Sequence, residues 1–199
     1  MKPHRPLHGL LLAGGRSTRM GSDKAALLHP DGRPLARRGV DLLAEVCDQV
    51  MVSLRHDQEA PPLIEEGSLM HIVRDPQGGS EGPLVGILSA MRSAPEADWL
   101  VLACDLPRLD APTLRHLLDS RRPGETFLSY RSEFDSLPEP LCAFYAAEAR
   151  PILEQAQASG LRCPRKVLIQ NDCRLIDPVI QRALDNANTP QDWISSTTP

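Results

Sequence analysis

The chain has 199 residues, of which 41% are hydrophobic and 24% charged, with five cysteines and a formal net charge of −4. This composition predicts one globular domain over residues 1–199, and no run approaches the ~20 apolar residues that a membrane-spanning helix needs. An odd number of cysteines without a C-x-x-C pair indicates neither a disulfide framework nor a zinc site. Without a recognisable signal peptide, the sequence favours a cytoplasmic protein with no membrane partner.

Charge is unevenly distributed along the chain. Residues 1–40 contain eight basic and two acidic side chains, whereas the rest of the chain carries 14 basic and 24 acidic ones. Binding of nucleic acid requires a broad positive face, which a weakly acidic protein does not offer. The basic first fifth suits a small anionic ligand instead, so no nucleic-acid partner is expected.

The predicted elements begin with a strand that leads into a glycine loop. Residues 9–13 are a short apolar run, typical of a buried strand, and Gly14 and Gly15 follow at once. The next predicted elements are a helix over residues 34–47, a strand over 49–53, a loop over 58–68, a strand over 70–73, and a glycine-rich loop over 78–83 that starts a helix reaching about residue 94.

The most apolar run of the chain covers residues 99–104 and ends at Asp105. Because no polar residue alternates within it, the run is typical of a central parallel strand that is buried on both faces. The remaining predicted elements are a helix over residues 111–120, strands over 126–130 and 141–145, helices over 146–158 and 164–169, and a strand over 174–176. Repeated strand–loop–helix units predict a three-layer α/β/α sandwich with a mostly parallel central sheet, in which ligands bind at the carboxyl ends of strands.

The first candidate site is the polar segment after the opening strand. Gly14 and Gly15 can turn the backbone so that its N–H groups form a nest for an anion, and Arg16, Arg19 and Lys24 add three cations. The segment matches neither G-x-x-x-x-G-K-[ST] nor G-x-G-x-x-G. It therefore indicates a different kind of phosphate loop, with a plain glycine turn and solvated arginines as the alternative.

Three further segments follow predicted strands or begin a helix. Asp105 could cap a turn, but a carboxylate at the end of a rigid strand is also suited to hold magnesium beside phosphate oxygens. Asp75 ends another strand and has the same two interpretations. At the end of the chain, Thr189 is expected to cap a helix that begins at Pro190.

Four ordered segments carry a family resemblance: Leu12-Ala13-Gly14-Gly15-x-Ser17-x-Arg19-Met20-Gly21-x-Asp23-Lys24, Gly82-Pro83-Leu84-x-Gly86, Cys104-Asp105-x-Pro107 and Asn186-x-Asn188-Thr189-Pro190. Together they resemble the motifs of the molybdenum cofactor guanylyltransferases, which belong to the nucleotidyltransferases with a Rossmann-like α/β fold. The resemblance extends from Leu10 to Trp193. The chain departs from it at Ser53, Leu184 and Gln191, where the family usually has Asn, Phe and Glu.

The resemblance implies transfer of GMP from GTP to the terminal phosphate of molybdopterin, which releases pyrophosphate and forms the guanine dinucleotide cofactor. The nucleotide-binding residues that it implies are Leu12, Ala13, Gly14, Gly15, Lys24, Ser53, Asp75 and Asp105. It also places a magnesium ion (Mg²⁺) on Asp105.

Such a reaction brings two anionic phosphates together, so its catalysis consists mainly of positioning and charge neutralisation. We expect Lys24, with Arg16 or Arg19, to stabilise charge that accumulates on the triphosphate. We expect Asp105 to hold Mg²⁺ between the α-phosphate and the substrate oxygens. Lys24, Arg19 and Asp105 are therefore the predicted catalytic residues.

Several alternatives remain open at the level of sequence. A related nucleotidyltransferase could use CTP on molybdopterin, or act on a sugar or alditol phosphate; only the resemblance favours GTP. A non-catalytic GTP-binding maturation factor would bind the nucleotide in the same loop without reaction. A third alternative is a partner-binding module for the maturation of molybdoenzymes. Transient contact with molybdoenzyme apoproteins is a further expected interaction. The pterin is expected near residues 139–141 and 162–166.

Overall fold

The computed structural model describes residues 5–15, 24–59, 70–77, 82–187 and 189–197. Its strands are β1 (Leu7–Leu12), β2 (Gln49–Leu54), β3 (Met70–Arg74), β4 (Asp98–Ala103), β5 (Phe127–Arg131), β6 (Pro138–Tyr145) and β7 (Arg174–Ile176). Its helices are α1 (Leu35–Ala44), α2 (Pro83–Ser93), α3 (Ala111–Asp119), α4 (Ala149–Ala158), α5 (Pro164–Gln170) and α6 (Pro190–Thr197), with a short 3-10 helix at Lys24–Ala26.

The strands form one seven-stranded sheet in the order β3-β2-β1-β4-β6-β5-β7. Strands β1 to β4 run parallel to one another, and β7 runs parallel to β5. Strand β6 is antiparallel to both of its neighbours, because the turn between β5 and β6 reverses the chain within the sheet. The predicted mostly parallel sheet is confirmed, but β4 has a parallel neighbour on one side only.

Helices cover both faces of the sheet. On one face, α1 and α3 contribute Val40, Leu43, Leu114 and Leu117 to a core shared with β1, β2 and β4. On the other face, α2, α4 and α5 pack their apolar side chains against the same sheet. The three-layer α/β/α architecture is therefore confirmed. No helix in the described ranges is both long and apolar enough to cross a membrane.

The parallel strands end at a common edge, and backbone hydrogen bonds extend the pairing by one residue past each strand. Ala13 N donates to Ser53 O at 3.0 Å, and Cys104 N donates to Leu12 O at 3.2 Å. Asp75 N donates to Leu54 O at 3.0 Å. The residues that follow β1, β3 and β4 are thus held by backbone hydrogen bonds to a neighbouring strand.

Some element ends differ from the prediction by three residues: α1 ends at Ala44 instead of residue 47, and β6 begins at Pro138 instead of residue 141. The cap of the last helix is as predicted. Asp192 N donates to Thr189 Oγ1 at 3.1 Å and Thr189 N donates to Asp192 Oδ2 at 2.8 Å, so Thr189 caps α6 as expected. The helix predicted to begin at residue 146 begins instead at Ala149. Ala149 N bonds to Ala146 O in a turn that precedes α4.

Candidate functional site

An ion pair joins two of the predicted catalytic side chains at the carboxyl edge of the sheet. The Nζ atom of Lys24 lies 3.1 Å from Oδ2 of Asp105, although 81 residues separate them in sequence. The side chains are only 14% and 21% exposed, so the pair is partly shielded from water. Arg16 and Arg19 lie outside the described residues, and their roles stay predictions.

The backbone of residues 13–15 is held by side chains that follow β2. Gln58 Nε2 donates to Ala13 O at 3.0 Å. Arg55 Nη1 donates to Gly14 O at 2.8 Å and to Gly15 O at 3.3 Å. These contacts fix the direction of the carbonyl groups in the segment.

The reason for glycine at position 14 differs from the predicted one. Neither Gly14 nor Gly15 has φ in the left-handed region, so these two residues do not form the expected nest conformation. A Cβ atom on Gly14 would lie 3.3 Å from the backbone nitrogen of Arg55. Gly14 is therefore explained by the close approach of two strand ends, not by a turn that needs positive φ.

Sequence reasoning missed Arg55, Gln58 and Arg74. Gln58 is 8% exposed, and its Oε1 accepts a hydrogen bond from Arg55 N at 3.3 Å. Arg74 Nη1 donates to Arg55 O at 3.0 Å and to Gln58 O at 2.7 Å. The position of the two arginines could have signalled them, since Arg55 lies two residues after the predicted strand 49–53 and Arg74 directly follows the predicted strand 70–73.

Ser53 and Asp75 lie at the same edge. The Ser53 side chain is 3% exposed and faces α2, where a Cβ atom on Gly86 would come within 2.5 Å of Ser53 Oγ. Asp75 is partly buried at the end of β3, two strands away from β1. Their contacts with a nucleotide stay predictions.

A cavity of about 120 Å³ begins at Leu106, the residue that follows Asp105 in the chain. It is lined by Leu106, Glu139, Pro140, Leu141, Cys142, Arg165, Leu184 and Asn186. Arg165 forms ion pairs with Asp135 at 2.7 Å and Glu139 at 3.1 Å. Ala187 N donates to Asp105 O at 3.0 Å, which anchors the C-terminal segment to the same edge.

The cavity contains a thiol that is not suited to be a nucleophile. Burial raises the pKa of Cys142 to about 12, so the thiolate is scarce near neutral pH. A covalent cysteine intermediate is therefore not expected at this site. The chemistry that remains is the binding of charge by Lys24, Asp105 and Arg165.

Asp105 offers a partly exposed carboxylate at the carboxyl edge of the sheet. Within the described ranges, no three His, Cys, Asp or Glu side chains cluster closely enough to hold a metal by themselves. Mg²⁺ does not need such a cluster, because it is commonly bound by one or two carboxylates plus phosphate oxygens and water. One partly exposed aspartate beside a lysine therefore fits a metal that arrives with a triphosphate.

Comparison with known proteins shows the family to which the chain belongs. Residues 9–174 match the model of the MobA-like NTP transferase domain. A molybdenum cofactor biosynthesis bifunctional protein from Synechocystis sp. is 39% identical over 94% of this chain, but the chain spans only 53% of that protein. A molybdenum cofactor guanylyltransferase from Pseudomonas fluorescens is 31% identical, with 94% of this chain and 91% of that protein covered.

The fold is also shared with a solved structure. Molybdopterin-guanine dinucleotide biosynthesis protein A from Archaeoglobus fulgidus superposes with a TM-score of 0.71 over 96% of both chains. The sequence identity in this comparison is 23%, so the likeness is one of architecture.

Proposed function

Because the chain belongs to the MobA-like NTP transferase family, we propose that it transfers GMP from GTP to the terminal phosphate of molybdopterin. An oxygen of that phosphate attacks the α-phosphorus of GTP and forms a new P–O bond. The bond between the α-phosphorus and the α,β-bridging oxygen breaks, and pyrophosphate leaves. The product is the guanine dinucleotide form of the cofactor.

The observation that carries the proposal is the contact between Lys24 and Asp105 at the carboxyl edge of the sheet. Two side chains so distant in sequence meet at the point where α/β folds bind ligands. One supplies a cation for phosphate oxygens and the other a carboxylate for a metal ion. A triphosphate with its divalent ion needs both groups within a few ångströms of each other.

Nucleotidyltransferases of this family generally need a divalent metal, and we assign Mg²⁺ to Asp105. When bound, the ion neutralises charge on the phosphates and polarises the reacting phosphoryl group. Two features hold Asp105 in position. Its backbone carbonyl accepts a hydrogen bond from Ala187 N, and the residue lies just after the end of β4. Lys24 then binds phosphate oxygens in place of the Asp105 carboxylate, and Arg19 is proposed to assist it.

We propose that the nucleotide lies along residues 12–15, with Ser53 and Asp75 on its nucleoside side. The acceptor is proposed to enter the cavity next to Leu106. That cavity includes Glu139, Pro140, Leu141 and Arg165, and a guanidinium group there suits an anionic acceptor. Donor and acceptor would then approach Asp105 from its two sides.

GTP is favoured over CTP by the name of the Pseudomonas fluorescens relative, which matches over nearly its full length. The presence of both Lys24 and Asp105 favours an enzyme over a non-catalytic GTP-binding factor. A cytoplasmic location and transient contact with molybdoenzyme apoproteins, which would receive the product, complete the proposal.

The proposal is tested by supplying the purified chain with molybdopterin, magnesium and GTP, CTP or ATP in parallel, and measuring pyrophosphate and the dinucleotide product. We expect pyrophosphate release with GTP that depends on molybdopterin and on the metal. Equal or faster turnover with CTP would contradict the choice of nucleotide. GTP binding with no product under any condition would favour the non-catalytic alternative.

A further inference from the structure

We propose that Arg55 and Gln58 are positioning residues, which orient the peptide N–H groups of Gly14 and Gly15 toward the nucleotide. The inference rests on the proposed function, because it concerns how the same site binds GTP. It is carried by three hydrogen bonds that Arg55 and Gln58, which follow β2, donate to the carbonyl groups of residues 13–15.

Hydrogen bonds to two carbonyl oxygens set the direction of two peptide groups in the glycine segment. In a trans peptide, the carbonyl oxygen and the N–H of the same unit point in opposite directions. Ala13 O, which accepts from Gln58 Nε2 at 3.0 Å, shares its peptide unit with the N–H of Gly14. Gly14 O, which accepts from Arg55 Nη1 at 2.8 Å, shares its unit with the N–H of Gly15. Both N–H groups therefore point away from Arg55 and Gln58.

The orientation of the two glycines depends on hydrogen bonds to their carbonyl groups. Among the described residues, none lies within 4 Å of a Cβ atom built on Gly15, so their packing does not restrict this residue. Without side-chain contacts to the carbonyl groups, a pair of glycines would sample many orientations. The guanidinium of Arg55 removes that freedom because it bonds to two successive carbonyl oxygens, Gly14 O and Gly15 O.

The segment 55–58, which donates these hydrogen bonds, is itself held by further polar contacts. Gln58 is buried, and both carbonyl groups at the ends of the segment 55–58 accept hydrogen bonds from Arg74 Nη1. Asp57 Oδ1 lies 3.2 Å from Arg55 Nε and helps to orient the guanidinium. The residues at the ends of β2 and β3 thus support the glycine segment. Because the N–H groups of Gly14 and Gly15 are already oriented, they can bind an anion or a carbonyl oxygen of the base without a further loss of conformational entropy.

The inference predicts an effect on binding and not on the chemical step. Loss of two charge-assisted hydrogen bonds in Arg55→Ala should weaken binding of Mg²⁺-GTP about 10-fold or more. Turnover at saturating GTP should stay within about 3-fold of the wild-type value, since Lys24 and Asp105 are unchanged. Millimolar guanidinium should restore part of the affinity to Arg55→Ala, an effect that a merely structural role would not produce.

The experiment measures the Kd of GTP by calorimetry, and KM and kcat by pyrophosphate release, for wild type, Arg55→Ala, Arg55→Lys and Gln58→Met. Arg92→Ala is the matched control, because Arg92 of α2 forms a surface ion pair with Glu154 of α4. We expect Arg55→Lys to lie between wild type and Arg55→Ala, and the control to bind as wild type does. If Arg55→Ala does not fold, Arg55→Lys and Gln58→Met decide the question by the same measurements.

Wild-type affinity in the Arg55 and Gln58 variants overturns the inference and leaves the proposed function intact. A loss confined to kcat also overturns it, because it would mean that Arg55 acts on the reacting phosphates. A wild-type chain that binds no GTP overturns the proposed function, and the inference with it.

Discussion

Lys24 and Asp105 form a 3.1 Å ion pair that is partly buried, so each group has exchanged part of its hydration for the other. Under the proposed function, a metal-bound triphosphate would take the place of this contact, and both charges would gain new partners of opposite sign. The ion pair would then hold the two side chains near the separation that the proposed ligand needs.

At this residue scale, we expect Asp105→Asn to lose most turnover while folding is only slightly weakened. The amide keeps the size of the side chain and can still accept a hydrogen bond from Lys24, so the cost in stability is about 1 kcal/mol.

Lys24→Ala should reduce kcat/KM by an amount equivalent to ~2–4 kcal/mol if it binds charge that develops in the transition state.

Steady-state kinetics and urea denaturation of both variants check these expectations. Arg115→Ala is the control, because Arg115 forms an exposed ion pair with Glu45. Near-wild-type turnover in Asp105→Asn would exclude the proposed metal role. An effect of Lys24→Ala on GTP affinity alone would reduce its role to ground-state binding.

At the scale of the elements, the two helices nearest to β1 approach it through glycines. A Cβ atom on Gly39 of α1 would lie 2.6 Å from Leu11 Cδ1. A Cβ atom on Gly86 of α2 would lie 2.5 Å from Ser53 Oγ and 2.9 Å from Leu12 Cδ2. These helices can pack this closely only because Gly39 and Gly86 have no Cβ atom. The position of α2 is thereby coupled to Leu12 and Ser53, two of the predicted nucleotide-binding residues.

Gly86→Ala tests this packing. In a solvent-exposed helix the change would stabilise the protein, because alanine has the higher helix propensity. Here the new methyl group should instead destabilise it by about 1–3 kcal/mol, since buried neighbours must move. Denaturant unfolding of Gly86→Ala and of Gly15→Ala, where the new Cβ meets none of the described residues within 4 Å, provides the comparison. Equal or greater stability of Gly86→Ala than of wild type would show that the helix adjusts without cost.

At the scale of the whole molecule, the free energy of unfolding depends on groups far from the site. His8 on β1 is 8% exposed and packs edge-on against Trp99 with ring centroids 5.2 Å apart. Burial lowers the pKa of His8 from its usual 6.5, Asp48 opposes this change, and His71 adds to it. In the unfolded chain, His8 takes up a proton near pH 6.5, whereas in the folded protein it does so only at lower pH.

The sign of the pH effect follows from this difference. As the pH falls from about 7 to 5.5, the unfolded state binds more protons than the folded state, so the protein should lose stability. In His8→Phe this loss should be smaller, while His56→Gln, which changes an exposed histidine, should behave as wild type does. Urea denaturation at several pH values measures it. An unchanged pH dependence in His8→Phe would mean that other groups cause the loss.

Much of the fold could be predicted from local patterns. Apolar runs located β1, β2, β3 and β4, and turn residues located the loops that follow them, because burial and backbone conformation are recorded in neighbouring residues. The antiparallel course of β6 could not be predicted, since it depends on which strand edge remains available after β5 turns back. Whether residues 1–199 form one domain stays a prediction, although one sheet takes strands from residue 7 to residue 176.

The candidate site divides in the same way. The sequence alone identified Lys24, Asp105 and the glycine segment, because charged and flexible residues directly after strands are visible in a linear pattern. Only the tertiary structure brought Lys24 to Asp105, showed a cavity that Leu106 helps to line, and showed that Arg55 and Gln58 hold the carbonyl groups of residues 13–15. These contacts join residues that are 40 to 81 positions apart. A sequence pattern contains the chemistry of each side chain, but the distance between two of them is determined only when the sheet aligns its strand ends.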